Sequence, residues 1–210
     1  AVSVARLVRA ETPHVLLAGE NAIDLAEAFD VETGVDLTTE RTRSRWSEET
    51  PPGDPGRERL AWVREQFGPG GGGDAPRDHD TVGAVVRQGG RIAAATSTGG
   101  RWFALPGRVC DVPQVGGGFY AATAGAASAT GHGEEIAEDG LARRVVGLIQ
   151  DGLEAPAATD AAIDRFAAAT GGTAGVIAID GEGGVRPAHN AADLGLAVAG
   201  ASACSTRRRS

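Results

Sequence analysis

Lysine and methionine are absent from the 210 residues, cysteine occurs only twice, and no apolar run approaches membrane-spanning length. Without methionine, residue 1 is not a translation start, and upstream sequence is expected. Without lysine, arginine is the only strong cation, and the formal net charge is −8. That balance argues against nucleic acid as a partner, because binding to phosphate needs a concentrated basic footprint. The one basic run, Arg207 to Arg209, closes the chain after a Ser/Ala-rich stretch and reads as a solvated tail. Cys110 and Cys204 fit no metal-ligand or redox spacing, so no disulfide framework is implied and two free thiols in a reducing compartment are expected. A bilayer-spanning helix needs about 20 apolar residues, and no charged segment followed by an apolar one opens the chain. No membrane partner and a cytoplasmic location are therefore expected.

What is present is a globular composition, 41% hydrophobic, with 32 glycines. This is enough to bury a core within one domain. The segment from Ser3 to Glu32 reads as helix, strand, helix. Pro13 stops the first helix, His14 to Ala18 forms a short buried strand, and Asn21 caps a second helix carrying Ile23, Leu25, Ala26 and Phe29. Residues 49 to 80 read as a linker, because Gly, Pro and Asp crowd both sides of one short helix, "RERLAWVREQF".

After Asp80 the pattern changes to strands. "TVGAVVRQ", a "GGR" turn and "IAAATST" predict a hairpin, and "GAASAT" a third strand. One helix is expected from Glu134 to Leu153, with acids in its first turn. A second is expected over "TDAAIDRFAAATGG", with a Thr-Asp start and a Gly stop. "AGVIAID" and "GVRPAHN" then pair around "GEGG". Sheets covered by helices accommodate this order.

Several chemistries lack their motifs. The four histidines, His14, His79, His132 and His189, form no HExxH or paired spacing, so no metal site is expected from them. "GGGG" at 70 to 73 lacks the Lys-Ser/Thr of a phosphate loop, and GxSxG is missing. Hydroxyl residues instead cluster beside glycines: Thr81 in "HDTVG", Thr96, Ser97 and Thr98 in "TSTGG", Ser128 and Thr130 in "SATGHGE". Read singly, each threonine is an ordinary strand residue. Arg108 and Asp111, three apart, read as a surface ion pair, and His132 as a turn residue.

Taken with "LPGRVCD" at 105 to 111 and "GVIAID" at 175 to 180, these segments resemble, in order and spacing, a threonine-dependent branch of the N-terminal nucleophile hydrolases. That branch is the isoaspartyl peptidase/L-asparaginase family, which includes the plant-type asparaginases. "TPHVLLAGENA" at 12 to 22 resembles part of the family's α-subunit. The resemblance implies an α+β fold, a four-layer αββα sandwich. Residues 1 to 80 would be the α-subunit portion and 81 to 210 the β-subunit, together one domain.

It further implies self-cleavage between Asp80 and Thr81. The freed α-amine, titrating near ~8, then lets Thr81 act as nucleophile and base in one residue. No histidine is needed, although His79 beside the cut could assist processing. By matching motif, Thr98 would orient the nucleophile, Arg108 would bind a substrate α-carboxylate, and Asp111 the α-ammonium. Thr130 and the N–H of Gly131 would stabilise the oxyanion. The implied activity is hydrolysis of the side-chain amide of asparagine or of β-aspartyl dipeptides, a small-molecule substrate. The implied assembly is a dimer of αβ heterodimers. "HDT" also resembles the glycosylasparaginase branch, and an inactive truncated homologue acting through subunit pairing is the non-enzymatic alternative. Relative to the resembled family the chain begins late. A first strand, a Gly-rich loop with an asparagine and a sodium-binding loop would lie upstream of residue 1, so no cofactor or metal is expected here.

Overall fold

The structure, a computed structural model, describes residues 1–49, 57–67, 79–102, 104–200 and 203–209. It divides into two compact units. The smaller comprises Ala1–His79 with Gly100–Arg108, the larger Asp80–Gly99 with Val109–Ser210.

The smaller unit contains helices α1 (Val2–Glu11), α2 (Glu20–Ala28), α3 (Glu40–Glu49) and α4 (Arg57–Phe67). Helix α1 stops before Pro13 as the sequence predicts. Thr12 closes it, its N–H and hydroxyl both donating to the Val8 carbonyl, at 3.1 and 2.7 Å. Residues 14–18 are not the buried strand expected: they are coil, with Val15 83% exposed. A strand is stable only where a ladder partner takes its backbone groups, and none stands beside this one among the described residues. Asn21 is likewise not the cap of α2. Gly19, at φ 78°, takes that place, and Asn21 lies inside the first turn. Helix α3, unexpected within so polar a segment, is started by a reciprocal cap. Thr39 N–H donates to Thr42 Oγ1 at 2.9 Å, and Thr42 N–H to Thr39 Oγ1 at 3.2 Å. The helix expected in the linker forms as α4, and the Gly/Pro-rich flanks at 50–56 and 68–78 lie outside the described residues.

In the larger unit, β1 (His79–Gln88) and β2 (Arg91–Arg101) form the expected hairpin, although β1 already includes Asp80 and runs through the predicted cut. Gly89 and Gly90 turn it with φ of 55° and 76°, a pair of positive values that matches the strands' twist. Strands β3 (Phe119–Ala122), β4 (Gly125–Gly131), β5 (Ala174–Asp180) and β6 (Val185–His189) make an antiparallel sheet in the order β3-β4-β5-β6. Phe119 pairs with Ser128, Ser128 with Ile177, and Ile177 with Pro187. β6 is an edge strand, where a proline does no damage.

Three helices, α5 (Gly133–Asp139), α6 (Leu141–Gln150) and α7 (Ala155–Thr170), lie between β4 and β5 in the chain. The single helix expected over 134–153 is broken at Gly140, whose φ of 66° ends α5 and starts α6. Asp139 grips Arg144 across that corner with both carboxylate oxygens, at 2.9 and 2.5 Å, and this hydrogen bonding raises the Arg144 pKa. Helix α7 begins four residues before the predicted Thr-Asp start, with Pro156 in its first turn. Thr159 is instead a buried helical residue that satisfies its hydroxyl on the Ala155 carbonyl at 3.0 Å. Gly171, at φ 72°, provides the expected stop.

Alternation along the strands sorts two faces. Ala127, Ala129, Val176 and Ala178 pack under the helices against Leu141, Val145, Val146 and Phe166, all of them buried. These small strand residues leave room for large helical ones, and truncating Phe166 to Ala would cost about 3–5 kcal/mol. Ser128 faces the other way, where its hydroxyl lies 2.7 Å from Thr96 Oγ1 of β2. The larger unit is thus a helix layer, a sheet, and the β1–β2 hairpin stacked on that sheet. The expected solvated tail is a strand: β7 (Leu194–Gly200) pairs with β8 (Ala203–Arg209), with Leu196 opposite Arg207.

Candidate active site

Side chains two apart on a strand share a face. Thr96 and Thr98 therefore both look from β2 toward β3–β6, and so do Thr81 and Gly83 from β1. The steric record at Gly83 agrees, since a Cβ there would sit 2.1 Å from Ser128 Oγ and 2.9 Å from Ser128 Cβ. On this inner face Thr81 Oγ1 donates to Thr98 Oγ1 at 3.2 Å, both threonines being half-buried. Asp80 precedes Thr81 in β1, its backbone part of the strand.

Thr130 shares the face of Ser128 on β4 and pairs with Gly175 of β5. Where a Cβ would project from Gly175, Leu194 lies at 3.2 Å. Gly131 has φ 141°, and a Cβ there would meet the Thr173 carbonyl oxygen at 2.3 Å and Ala174 Cα at 2.7 Å. Only glycine fits this corner between β4 and α5. The Thr173 carbonyl accepts the His132 N–H at 2.9 Å, so the residue that leads into β5 fixes the corner. Asn190, which sequence reasoning did not single out, secures that stretch. Its Oδ1 accepts from Ala174 N–H at 2.7 Å and its Nδ2 donates to the Gly172 carbonyl at 2.8 Å. The only sequence signal was an asparagine closing the predicted strand "GVRPAHN". His132 Nδ1 lies 3.2 Å from Glu135 Oε2, a pair that stays partly solvated and is worth little by itself.

Asp111 is 5% exposed, a level carboxylates rarely reach. Its carbonyl accepts N–H bonds from Gln114 at 2.8 Å and Gly118 at 3.0 Å, winding residues 111–118 into a tight loop. Gly118 is required in that loop, because a Cβ would lie 2.7 Å from Val112 Cα. The Gly118 carbonyl accepts from Ala129 N–H at 2.8 Å and from Thr96 Oγ1 at 3.2 Å, so the loop that holds Asp111 is fastened to β4 and to β2. Helix α6 also rests on it, with Ala142 and Arg143 N–H bonded to the carbonyls of Gly117 and Gly116. Thr81, Thr98, Thr130, Gly131 and Asp111 all belong to the larger unit, whereas Arg108 ends the Gly100–Arg108 segment of the smaller one. Arg108 N–H closes a turn onto the Leu105 carbonyl at 3.0 Å, made possible by Gly107 at φ 85°.

The family model described as asparaginase matches residues 1–206. The chain belongs to the asparaginase family. A plant-type L-asparaginase of Pyrococcus abyssi is 36% identical over 202 residues, covering 93% of this chain and 63% of the relative. An isoaspartyl peptidase/L-asparaginase of Xenopus laevis is 36% identical over 186 residues, covering 87% and 55%. The mouse isoaspartyl peptidase/L-asparaginase is 33% identical over 219 residues, covering 99% and 63%. This asparaginase-family chain therefore spans somewhat less than two thirds of the length of these relatives. Its mixed helix and sheet architecture is consistent with the α+β fold expected of the family, and no helix among the described residues is long and apolar enough to cross a membrane.

Proposed function

We propose that the chain is part of a threonine amidohydrolase that cuts itself between Asp80 and Thr81 and then hydrolyses the side-chain amide of asparagine or of β-aspartyl dipeptides. The observation that carries this reading is the 3.2 Å hydrogen bond between Thr81 and Thr98 on the face turned toward β4. Family membership and the relatives' names support the substrate class. A four-layer sandwich would add one helical layer to the helix, sheet and hairpin layers of the larger unit.

In the first step Thr81 Oγ attacks the Asp80 carbonyl carbon, the C–N bond between the two residues breaks, and an ester replaces the amide. Water hydrolyses the ester, leaving an Asp80 carboxylate and a free Thr81 amine. In turnover, the same oxygen attacks the substrate amide carbon, with its proton passing to the Thr81 amine. The negative charge that develops on the amide oxygen is stabilised by Thr130 and Gly131 N–H. Ammonia or the dipeptide's amine departs with that proton, and water releases aspartate from the acyl-enzyme. Arg108 and Asp111 read the substrate's α-carboxylate and α-ammonium.

Intact mass and N-terminal sequencing of the purified protein test the cut. A fragment beginning Thr-Val-Gly-Ala-Val is expected, with ammonia or aspartate released from asparagine or a β-aspartyl dipeptide. An uncut, inactive chain would overturn the reading.

A further inference from the structure

The sequence holds three tryptophans, and two of them meet. Trp46 of α3 and Trp102, just beyond β2, have ring centroids 6.4 Å apart at an interplanar angle of 33°. Arg45 lies over the Trp102 ring at 4.8 Å, and Arg59 of α4 over the Trp46 ring at 5.8 Å. Both distances are within the roughly 6 Å at which a guanidinium is attracted by an aromatic face. The order Arg45, Trp102, Trp46, Arg59 is a ladder, and the chain crosses the proposed cut within it. Arg45, Trp46 and Arg59 precede Asp80, while Trp102 follows Thr81. In keeping with this, Gly100–Arg108 belongs to the same compact unit as residues 1–79.

We propose that this ladder is a clasp that retains the N-terminal fragment on the C-terminal one after the Asp80–Thr81 bond is broken, with Trp102 as its anchor. The biological use of the clasp rests on the self-cleavage proposed above. While the chain is whole, the peptide link holds Trp102 near α3 at an effective concentration of about millimolar or above, and the ladder adds little to retention. Once the link is cut, the same contact is intermolecular, and its affinity decides whether the fragments part on dilution. The clasp is therefore needed for holding and dispensable for cutting.

The test compares the wild type with Trp102→Ala, Trp102→Phe and Arg45→Gln by mass spectrometry and by gel filtration at falling concentration. A second set carries a site-specific protease sequence in place of Gly70–Gly73, so that two fragments form whether or not Thr81 cuts. Trp102→Ala is expected to weaken fragment association by about tenfold to a hundredfold, Trp102→Phe by much less, and Arg45→Gln by about two- to fivefold. Circular dichroism of the unsplit Trp102→Ala chain checks that it folds, and Arg45→Gln tests the ladder from its cationic end. Fragments of Trp102→Ala and Arg45→Gln that stay together as tightly as wild type would overturn the clasp, as would wild-type fragments that part at once. A chain that splits only with added protease would overturn self-cleavage while leaving the clasp measurable.

Discussion

Thr96 Oγ1 and Ser128 Oγ lie 2.7 Å apart, joining the β1–β2 hairpin to the four-stranded sheet beneath it at the level of Gly83. The sheets approach closely there only because Gly83 has no side chain, and that approach sets the depth at which Thr81, two residues earlier, sits. Gly83→Ala is expected to destabilise the protein by about 1–3 kcal/mol, because Ser128 is too short to move aside. Adding Ser128→Ala should recover part of the loss, and urea unfolding of the single and double variants measures both.

The Gly131 corner gives a second expectation. Gly131→Ala must place a Cβ 2.3 Å from the Thr173 carbonyl oxygen, with φ at 141°. A loss of about 2–5 kcal/mol is expected. Asn190→Ala, which removes two hydrogen bonds below that corner, should cost about 1–3 kcal/mol. It should also lower kcat more than it raises KM, since Asn190 holds Ala174 and Gly172, the stretch packed against the proposed oxyanion donor Gly131. An unchanged kcat with normal stability would separate Asn190 from catalysis.

Thr98→Val replaces the hydroxyl that receives the Thr81 hydrogen bond by a methyl of similar size. Self-cleavage followed by gel densitometry is expected to slow by roughly 10- to 1000-fold, with the unfolding midpoint nearly unchanged. Thr81→Ala should abolish the cut altogether. Cleavage of Thr81→Ala at the Asp80 bond would assign it to another group.

Asp180 yields a pH dependence. Its carboxylate accepts from Gly184 N–H at 2.7 Å, from Glu182 N–H at 3.1 Å and from Ala155 N–H at 3.1 Å, tying the β5–β6 turn to the start of α7. Burial raises its pKa, but the backbone N–H groups of Ala155, Gly184, Glu182 and Gly183 outweigh that and lower it overall. A pKa lower in the folded than in the unfolded state adds stability that is complete above the unfolded value, about 3.9. That stability is lost as pH falls through the folded value. Asp180→Asn should cost about 1–3 kcal/mol at neutral pH, with the difference from wild type closing below pH ~4. A gap independent of pH would mean the charge is irrelevant.

Much of this architecture was readable in the chain because its signals were local. Val-rich alternation around a Gly-Gly turn placed the β1–β2 hairpin, and "AGVIAID", "GEGG" and "GVRPAHN" placed β5 and β6. The misreadings were of two kinds. At Gly140, Gly19 and Ala155 the competing local signals were all present, and backbone geometry chose among them: a left-handed glycine ended one helix and began another, and a proline at a first turn outranked a Thr-Asp cap. At residues 14–18 and 203–209, strand formation depended on whether a partner stood alongside, which no short window of sequence contains.

The sequence by itself determined that threonines beside glycines, at family spacing, are this protein's candidate chemistry, because residue type and order are all that a motif requires. It also determined which face each of them occupies, since a strand alternates by its covalent geometry. Only the tertiary structure decided that Thr81 lies within hydrogen-bonding distance of Thr98. It alone decided that Gly83, Gly118 and Gly131 are glycines for want of space, and that Asn190 holds the corner where Gly131 turns. Those facts depend on how closely separate strands approach, and that distance is set by the packing of side chains far apart in the chain.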